Sequence, residues 1–381
     1  MKKVLIFGAG QYGRDAFAQL GEESVEGFID NNVEKQKQLF CGKPVLSVEQ
    51  AISTHHHILI ASQYSASMEK QLKEYGVTDY SVFLDHLHKF YETDELVFNP
   101  YDTRTEKQTE AEWNNDEKLQ YSRKAVFDEA ERLYQNPPLF EAIEVETINR
   151  CNGTCSFCPV NRNVDPRVHA VMTEELFHDI VDQLAEINYC GRFSVFSNNE
   201  PLLDDRIISL NQYAREKLPN ARMHMFTNGT LLSLDKFVEL ADILDELIID
   251  NYQQELKLIK PCVEIQEYCK THAELAKKVT IVLRKPQEIL TSRGGTAPNR
   301  KELVEYGKDR CVLPFKQMII RPDGKVSLCC NDAIGKYTLG DLNKEKLLEI
   351  WYGPRFQKVR QCLYEGREHW GDCKFCDTFS L

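Results

Sequence analysis

Three cysteines stand within eight residues in CNGTCSFC, at Cys151, Cys155 and Cys158. A structural zinc site closes a tetrahedron with four protein ligands, usually as two CxxC-like pairs. This stretch offers three thiolates and no histidine at ligand spacing, since His169 lies eleven residues beyond Cys158. Three thiolates can hold three irons of a four-iron, four-sulfur cluster and leave the fourth iron open to a substrate or cofactor. A zinc knob, or cysteines with no metal role, is the rival reading. A second set lies at Cys311, Cys329, Cys373 and Cys376, with Cys330 and Cys362 to spare. On spacing alone it could be a four-cysteine zinc site. A third candidate is Gly8, Gly10 and Gly13, a G-x-G-x-x-G directly after the apolar VLIF, with Asp30 ending the next apolar run. That context places a phosphate at a helix N-terminus and an acid near a ribose.

Composition limits what these residues can serve. A chain of 381 residues exceeds one ordinary core, so two or three domains are expected. Its 42% hydrophobic and 28% charged residues are a globular balance, and its net charge of −12 argues against a nucleic-acid groove. No apolar run is long enough to span a bilayer, and glycines interrupt MKKVLIFGAGQYG too early for a signal peptide. The expectation is a cytoplasmic protein with neither nucleic-acid nor membrane partner. In that compartment 13 cysteines point to metal or redox chemistry rather than disulfides. Cys41, Cys190, Cys262 and Cys269 are solitary and read as small buried apolar side chains.

The elements that must position these residues follow from periodicity. In residues 1–98, VLIF, GFID, KPVL, HILIAS and YSVFL read as strands separated by helix-length segments, predicting βαβ units and a Rossmann-like parallel sheet. His55, His56 and His57 read as a strand edge. Residues 99–138 are polar, lack glycine and predict a solvated helical linker stopped at Pro137–Pro138. In residues 139–305, AIEVET, FSVF, MHMFT, ELIID and VTIVL alternate with amphipathic helices such as EELFHDIVDQLAEI and DKFVELADIL. This predicts a partial (β/α) barrel, with chemistry at its strand ends, where Asp250 and Asn251 fall. In residues 306–381, QMIIRPDGKVSLCC predicts a hairpin turning at Pro-Asp-Gly, followed by the helix KEKLLEIWY and CKFC.

The CxxxCxxC spacing, with Phe157 before the last cysteine and the strand EAIEVETINR before the loop, resembles the radical S-adenosylmethionine (radical SAM) enzymes. In that family the open iron chelates the amino and carboxylate groups of SAM. Electron transfer then splits the S–C5′ bond, giving a 5′-deoxyadenosyl radical that abstracts a substrate hydrogen. The resemblance implies a 4Fe-4S cluster on Cys151, Cys155 and Cys158, with Phe157 against adenine. FSNNEPLL stands where the family carries a Gly-Gly-Glu-Pro-like element, so Glu200 would accept from the SAM ammonium. Asn198 and Asn199 replace the glycines. Asn199, Asn228 of FTNGTLL, Asp250 and Arg284 are further SAM candidates. Asn228 and Asp250 are equally open to helix capping.

The second cysteine set resembles the SPASM/twitch extension of the same enzymes, in its short, single-cluster form. That implies an auxiliary 4Fe-4S cluster on Cys311, Cys329, Cys373 and Cys376, with Cys330 or Cys362 able to replace a ligand. A fully ligated cluster suits electron transfer. FGAGQYGRDAF…VEGFIDNN resembles the small nucleotide-sugar-binding domains fused to acetyltransferases. It makes Gly8, Gly10, Gly13 and Asp30 candidates for a nucleotide or nucleotide-sugar, or the domain serves only for docking.

Over residues 141–376 the chain resembles the twitch-type 2-deoxy-scyllo-inosamine dehydrogenase class. This implies a radical SAM oxidoreductase removing hydrogen from a carbinol of a sugar, nucleotide-sugar or cyclitol. The auxiliary cluster would take the electron, and flavodoxin or ferredoxin would supply reducing power. Arg284 and Cys330 are candidate catalytic residues, and Arg284 and Arg293 could hold substrate or the SAM carboxylate. An epimerase would instead return a hydrogen atom from a spare thiol. Many SPASM enzymes mature peptides, but those generally carry a winged-helix peptide clamp where this chain has a glycine-loop α/β domain. A zinc scaffold is the non-catalytic alternative.

Overall fold

The computed structural model describes residues 3–379 apart from 63–64, 84–88, 92, 94, 104–105, 108 and 136. Two sheets organise the chain. The first has six strands: β1 (Val4–Phe7), β2 (Val25–Ile29), β3 (Leu39–Phe40), β4 (Lys43–Leu46), β5 (His57–Ile60) and β6 (Tyr80–Val82). Their order is β3-β4-β2-β1-β5-β6. All pairings are parallel except β3 with β4. Leu5, Ile6 and Phe7 are fully buried, as expected of a parallel strand covered on both faces. The chain winds away from β1 in both directions, the arrangement of doubly wound sheets.

The second sheet has nine strands: β7 (Val97–Phe98), β8 (Ala142–Val145), β9 (Arg192–Ser194), β10 (Arg222–Thr227), β11 (Glu246–Tyr252), β12 (Val279–Arg284), β13 (Gln317–Ile320), β14 (Lys325–Ser327) and β15 (Gly340–Asp341). Their order is β15-β14-β13-β8-β9-β10-β11-β12-β7. From β13 across to β7 every pairing is parallel. Amphipathic helices cover its outer face. Thr173 caps helix Glu174–Glu186, which buries Phe177, Ile180, Val181 and Leu184. Ser233 caps helix Leu234–Ile243, which buries Phe237, Leu240 and Ala241. Each such side chain contributes roughly 1.5–3 kcal/mol. On the opposite face, at the amino ends of the barrel strands, the Phe90 ring lies 4.7 Å from His224 and 4.9 Å from Phe226. The Arg192 guanidinium lies 4.0 Å from the same ring.

The hairpin shares the barrel's sheet, because β13 pairs with β8. Two expectations need correction. The polar stretch is not a solvated helix. It breaks at Asn115–Asp116, where Asp116 caps helix Glu117–Tyr134. That helix buries Val126, Ala130 and Leu133 against Tyr306, Val312, Phe315 and Phe379, so one face belongs to a core. Cys41 is not a buried filler, since it sits half-exposed at φ 49° before Gly42. Cys190, Cys262 and Cys269 are buried as expected. His57 opens β5 and bonds Asp79 and Ser81. Leu84 of YSVFL, and Thr105, Gln108 and Asn136 of the polar stretch, lie outside the described residues. Among the described residues no helix is long and apolar enough to cross a membrane.

Candidate active site

The loop after β8 carries Cys151, Cys155 and Cys158. Its shape is set by side chains as much as by backbone. The Asn161 amide donates to the carbonyls of Cys155 (3.1 Å) and Cys158 (2.8 Å). The Ser156 N–H donates to Pro286 O (2.9 Å), tying the loop to the segment after β12. The Gly153 N–H donates to Cys151 Sγ (3.3 Å). Burial pushes the Cys155 thiol up to about 12, and the charges of Cys158, Cys151 and Asp250 add to it. Burial likewise pushes Cys151 up to about 11, with Glu200 and Cys158 contributing. Such thiols give up their protons only to a positive centre. Among the described residues no three or more His, Cys, Asp or Glu side chains converge on one metal-ion position. Sulfurs that each bind a different iron surround a volume instead.

Glu200 is buried at the end of the segment after β9. Its carboxylate accepts from Leu202 N (3.1 Å), Thr227 Oγ1 (2.7 Å) and Asn228 N (2.8 Å). Burial raises its pKa, and those three donors hold it down. The Glu200 N–H donates to Arg150 O (2.8 Å), so this residue locks the ends of β9 and β10 to the cysteine loop. The Asn228 amide donates to Asn152 Oδ1 (2.7 Å), within CNGTC. Asp250 Oδ1 and Asn199 Nδ2 are buried without a hydrogen-bond partner. An orphan acceptor and an orphan donor beside a three-thiolate loop fit a polar ligand with amino and carboxylate groups. Arg284 donates to the buried Glu288 (2.9 Å) rather than to a surface acid. Phe157 is buried, its ring 6.0 Å from that of Tyr252.

The cysteines of the second set lie within reach of one another's charge. The Cys329 thiol is pushed up by burial and then by Cys330, Cys311, Cys373 and Cys376. Cys373, pushed up by burial, is next raised by Cys311 and Cys376. Cys362 lies partly exposed on helix Pro354–Glu365. Cys330 adjoins both this set and a group of polar residues. Burial pushes its thiol up to about 12, and its leading charged neighbours are Glu144 and Arg293.

Between the two sets lies a polar cell that sequence reasoning largely missed. Glu144, on β8, accepts from Ser197 Oγ (2.6 Å). Burial lifts its carboxyl to about 7, against the pull of Ser197 and Arg293. Arg293 Nη1 donates to Asn198 Oδ1 (2.7 Å), and Asn198 Nδ2 donates to Cys330 O (3.1 Å). The available signal was a carboxylate at alternate positions of the apolar strand AIEVE.

In the glycine loop, a Cβ on Gly8 would meet Ala61 O at 2.3 Å, and one on Gly13 would meet Gly8 O at 1.8 Å. Gly10 is open, with nothing within 4 Å. Asp30 accepts from Ala9 N (3.0 Å), Asn32 N (2.9 Å) and Lys35 Nζ (2.9 Å). Three of its four acceptor sites are therefore used by the protein itself.

A parallel barrel sheet with a three-thiolate loop at its first strand, and a four-thiolate module on the same sheet, defines a class of enzymes that pair an open iron–sulfur cluster with a closed one. The comparisons agree. Residues 145–259 match the radical SAM superfamily, and residues 311–377 match SPASM, an iron–sulfur cluster-binding domain. Residues 1–83 match the family described as C2185-like, N-terminal. The S-adenosyl-L-methionine-dependent 2-deoxy-scyllo-inosamine dehydrogenase of Niallia circulans is 26% identical over 247 residues, spanning 64% of this chain and 95% of that protein. The crystal structure of BtrN in complex with AdoMet and 2-DOIA is similar with a TM-score of 0.56 and 25% identity, covering 64% of this chain and 95% of that one. Residues 145–259 thus carry a radical SAM domain and residues 311–377 an iron–sulfur cluster-binding domain.

Proposed function

We propose that the protein dehydrogenates a carbinol of a sugar, nucleotide-sugar or cyclitol. Cys151, Cys155 and Cys158 would hold the SAM-binding cluster, and Cys311, Cys329, Cys373 and Cys376 the auxiliary one. When bound, SAM and its cluster supply a 5′-deoxyadenosyl radical that removes a hydrogen atom, and the auxiliary cluster supplies a one-electron acceptor. The chain's own residues do the rest. Glu144 takes the hydroxyl proton, and Ser197 orients its carboxylate. Arg293, aimed by Asn198, donates to substrate oxygens. Glu200, Asn199, Asp250 and Arg284 would hold the amino acid part of SAM, with Asn228 holding the loop and Phe157 available to adenine. One observation carries the reading: a buried carboxyl, lifted to about 7, takes a hydrogen bond from Ser197 and stands beside Cys330. A general base works best with a pKa near the operating pH.

Support for a small polar substrate comes from the polar cell and from the 2-deoxy-scyllo-inosamine dehydrogenase relative. The reducing partner would be a flavodoxin or ferredoxin. A nucleotide at Gly10 would meet the helix Gln11–Leu20 N-terminus. The chain divides as 1–98, 99–138, 139–305 and 306–381, with Val97–Phe98 contributing a strand to the barrel sheet. The test is anaerobic, reduced protein with SAM and panels of nucleotide sugars, cyclitols and peptides. Cyclitol- or sugar-stimulated 5′-deoxyadenosine, with a product lighter by two hydrogens, supports dehydrogenation; stimulation by peptide alone overturns it.

A second reading rests on Cys330, whose thiol is pushed up by burial and has Glu144 and Arg293 among its neighbours. A protonated thiol can return a hydrogen atom to a carbon radical, giving an epimer. Under that reading Cys330→Ser abolishes product, and product made in deuterium oxide carries one deuterium. Under dehydrogenation Cys330→Ser keeps its ketone product.

A further inference from the structure

Arg367 is among the largest fully buried side chains, only 1% exposed. An isolated buried charge is costly unless an anion lies close by. Its hydrogen bonds bring it no anion. Nε donates to Arg310 O (2.9 Å), Nη2 to Thr378 O (2.8 Å) and Nη1 to Cys376 O. Its guanidinium also stacks on Phe379, 4.1 Å from the ring centroid. Two carboxylates of the same region are engaged by other arginines. Asp309 is held by Arg123 (3.0 and 2.7 Å), and Asp377 by Arg300 (2.8 Å). The carbonyls that clasp Arg367 belong to Cys376 itself and to the residue preceding Cys311. Burial works against its charge, while Cys311, Cys376 and Cys373, followed by Asp309, sustain it. Asp309 aside, the negative charge facing this cation is the sulfur set.

We infer that Arg367 sets the reduction potential of the auxiliary cluster: a fixed buried cation against its thiolates makes the added electron easier to accept. Net charge and buried dipoles near a cluster tune its potential, and in a dry site such a charge is weakly screened. Arg367 is a positioning and tuning residue, not one that touches substrate. The inference rests on the auxiliary cluster assigned above and is independent of which carbinol is oxidised.

The test removes the charge and reads the potential. The background is Cys151→Ala, Cys155→Ala and Cys158→Ala in the full chain, which leaves the auxiliary cluster alone in the spectrum. After anaerobic reconstitution, redox titration followed by electron paramagnetic resonance gives its midpoint. Arg367→Gln should shift the midpoint to lower potential at full auxiliary iron occupancy, and Arg367→Lys should leave it near the parent. A midpoint in Arg367→Gln that is unchanged or raised overturns the inference. Should Arg367→Gln lose iron, Arg367→citrulline, introduced on a synthetic 362–381 peptide ligated at Cys362, keeps the planar shape and removes the charge. A lowered midpoint there supports the inference, and iron loss there as well reduces Arg367 to a backbone clamp and overturns it. A parent with no auxiliary cluster would instead defeat the proposed function, so the two failures are distinguishable.

Discussion

Replacing Glu144 by Gln should separate activity from stability in opposite directions along the pH axis. The Glu144 carboxyl sits at about 7, against an ordinary 4.5, because burial outweighs its bond from Ser197 and the field of Arg293. At 1.36 kcal/mol per unit, keeping the ionised form inside the fold costs about 3 kcal/mol. The sign follows from proton counts. Between about 4.5 and 7 the unfolded chain has released this proton while the folded chain still holds it, so stability falls as pH rises through that window. Above it the native protein carries the full cost, and Glu144→Gln does not. The variant's stability relative to wild type should therefore improve by about 3 kcal/mol between pH 4 and pH 8, read by denaturant titration with the clusters removed from both proteins. Catalysis runs the other way. Only the carboxylate accepts a proton, so wild-type kcat/KM should climb with unit slope up to about 7 and then level. Glu144→Gln should lose that limb and lower kcat by about 10²–10⁴. A variant with wild-type kcat and an unchanged limb refutes Glu144 as the base. Flat relative stability across the window refutes its buried, raised carboxyl.

Two further outcomes follow. Cys155→Ala should abolish SAM cleavage while keeping the auxiliary iron, seen as half the wild-type iron content with no 5′-deoxyadenosine; full iron would contradict the ligand assignment. Gly13→Ala should destabilise the first sheet by about 1–3 kcal/mol, because its Cβ would sit 1.8 Å from Gly8 O, while Gly10→Ala, facing open space, should leave the melting midpoint unchanged.

The sequence made the strands and the first cysteine set legible because each is local: period-two apolar runs mark strands, and CxxxCxxC is contiguous, whereas Cys311 and Cys329 join the distant CxxC only through resemblance. What it hid is non-local. Helix Glu117–Tyr134 reads as solvated until Tyr306, Val312, Phe315 and Phe379 supply its buried face. Glu144 looked like one more polar residue until Ser197, Asn198, Arg293 and Cys330 converged from three separate segments. Arg367 had no signature at all, since its partners are carbonyls, which every residue owns. Glycine spacing gives no sign that Lys35, five residues on, donates to the Asp30 carboxylate.

The pairing of β13 with β8 has a mechanical consequence. Gln317–Ile320 runs in register with Ala142–Val145, so the strand that delivers the three-thiolate loop is hydrogen-bonded to the strand whose hairpin partner delivers Cys329 and Cys330. A parallel ladder inside a nine-stranded sheet is stiff, and sliding it by one residue would turn Ile143 and Val145 out of the core. The separation between the two cysteine sets is thus fixed by backbone hydrogen bonds rather than by a hinge. Asn198 fastens the same span from the side, binding Arg293 with its oxygen and Cys330 with its nitrogen. A substrate held between them meets both sites at once, and the freedom to adapt lies in side chains of the polar cell. Substrate choice should therefore change through residues such as Ser197, Asn198 and Arg293 while the distance between the two sites stays constant.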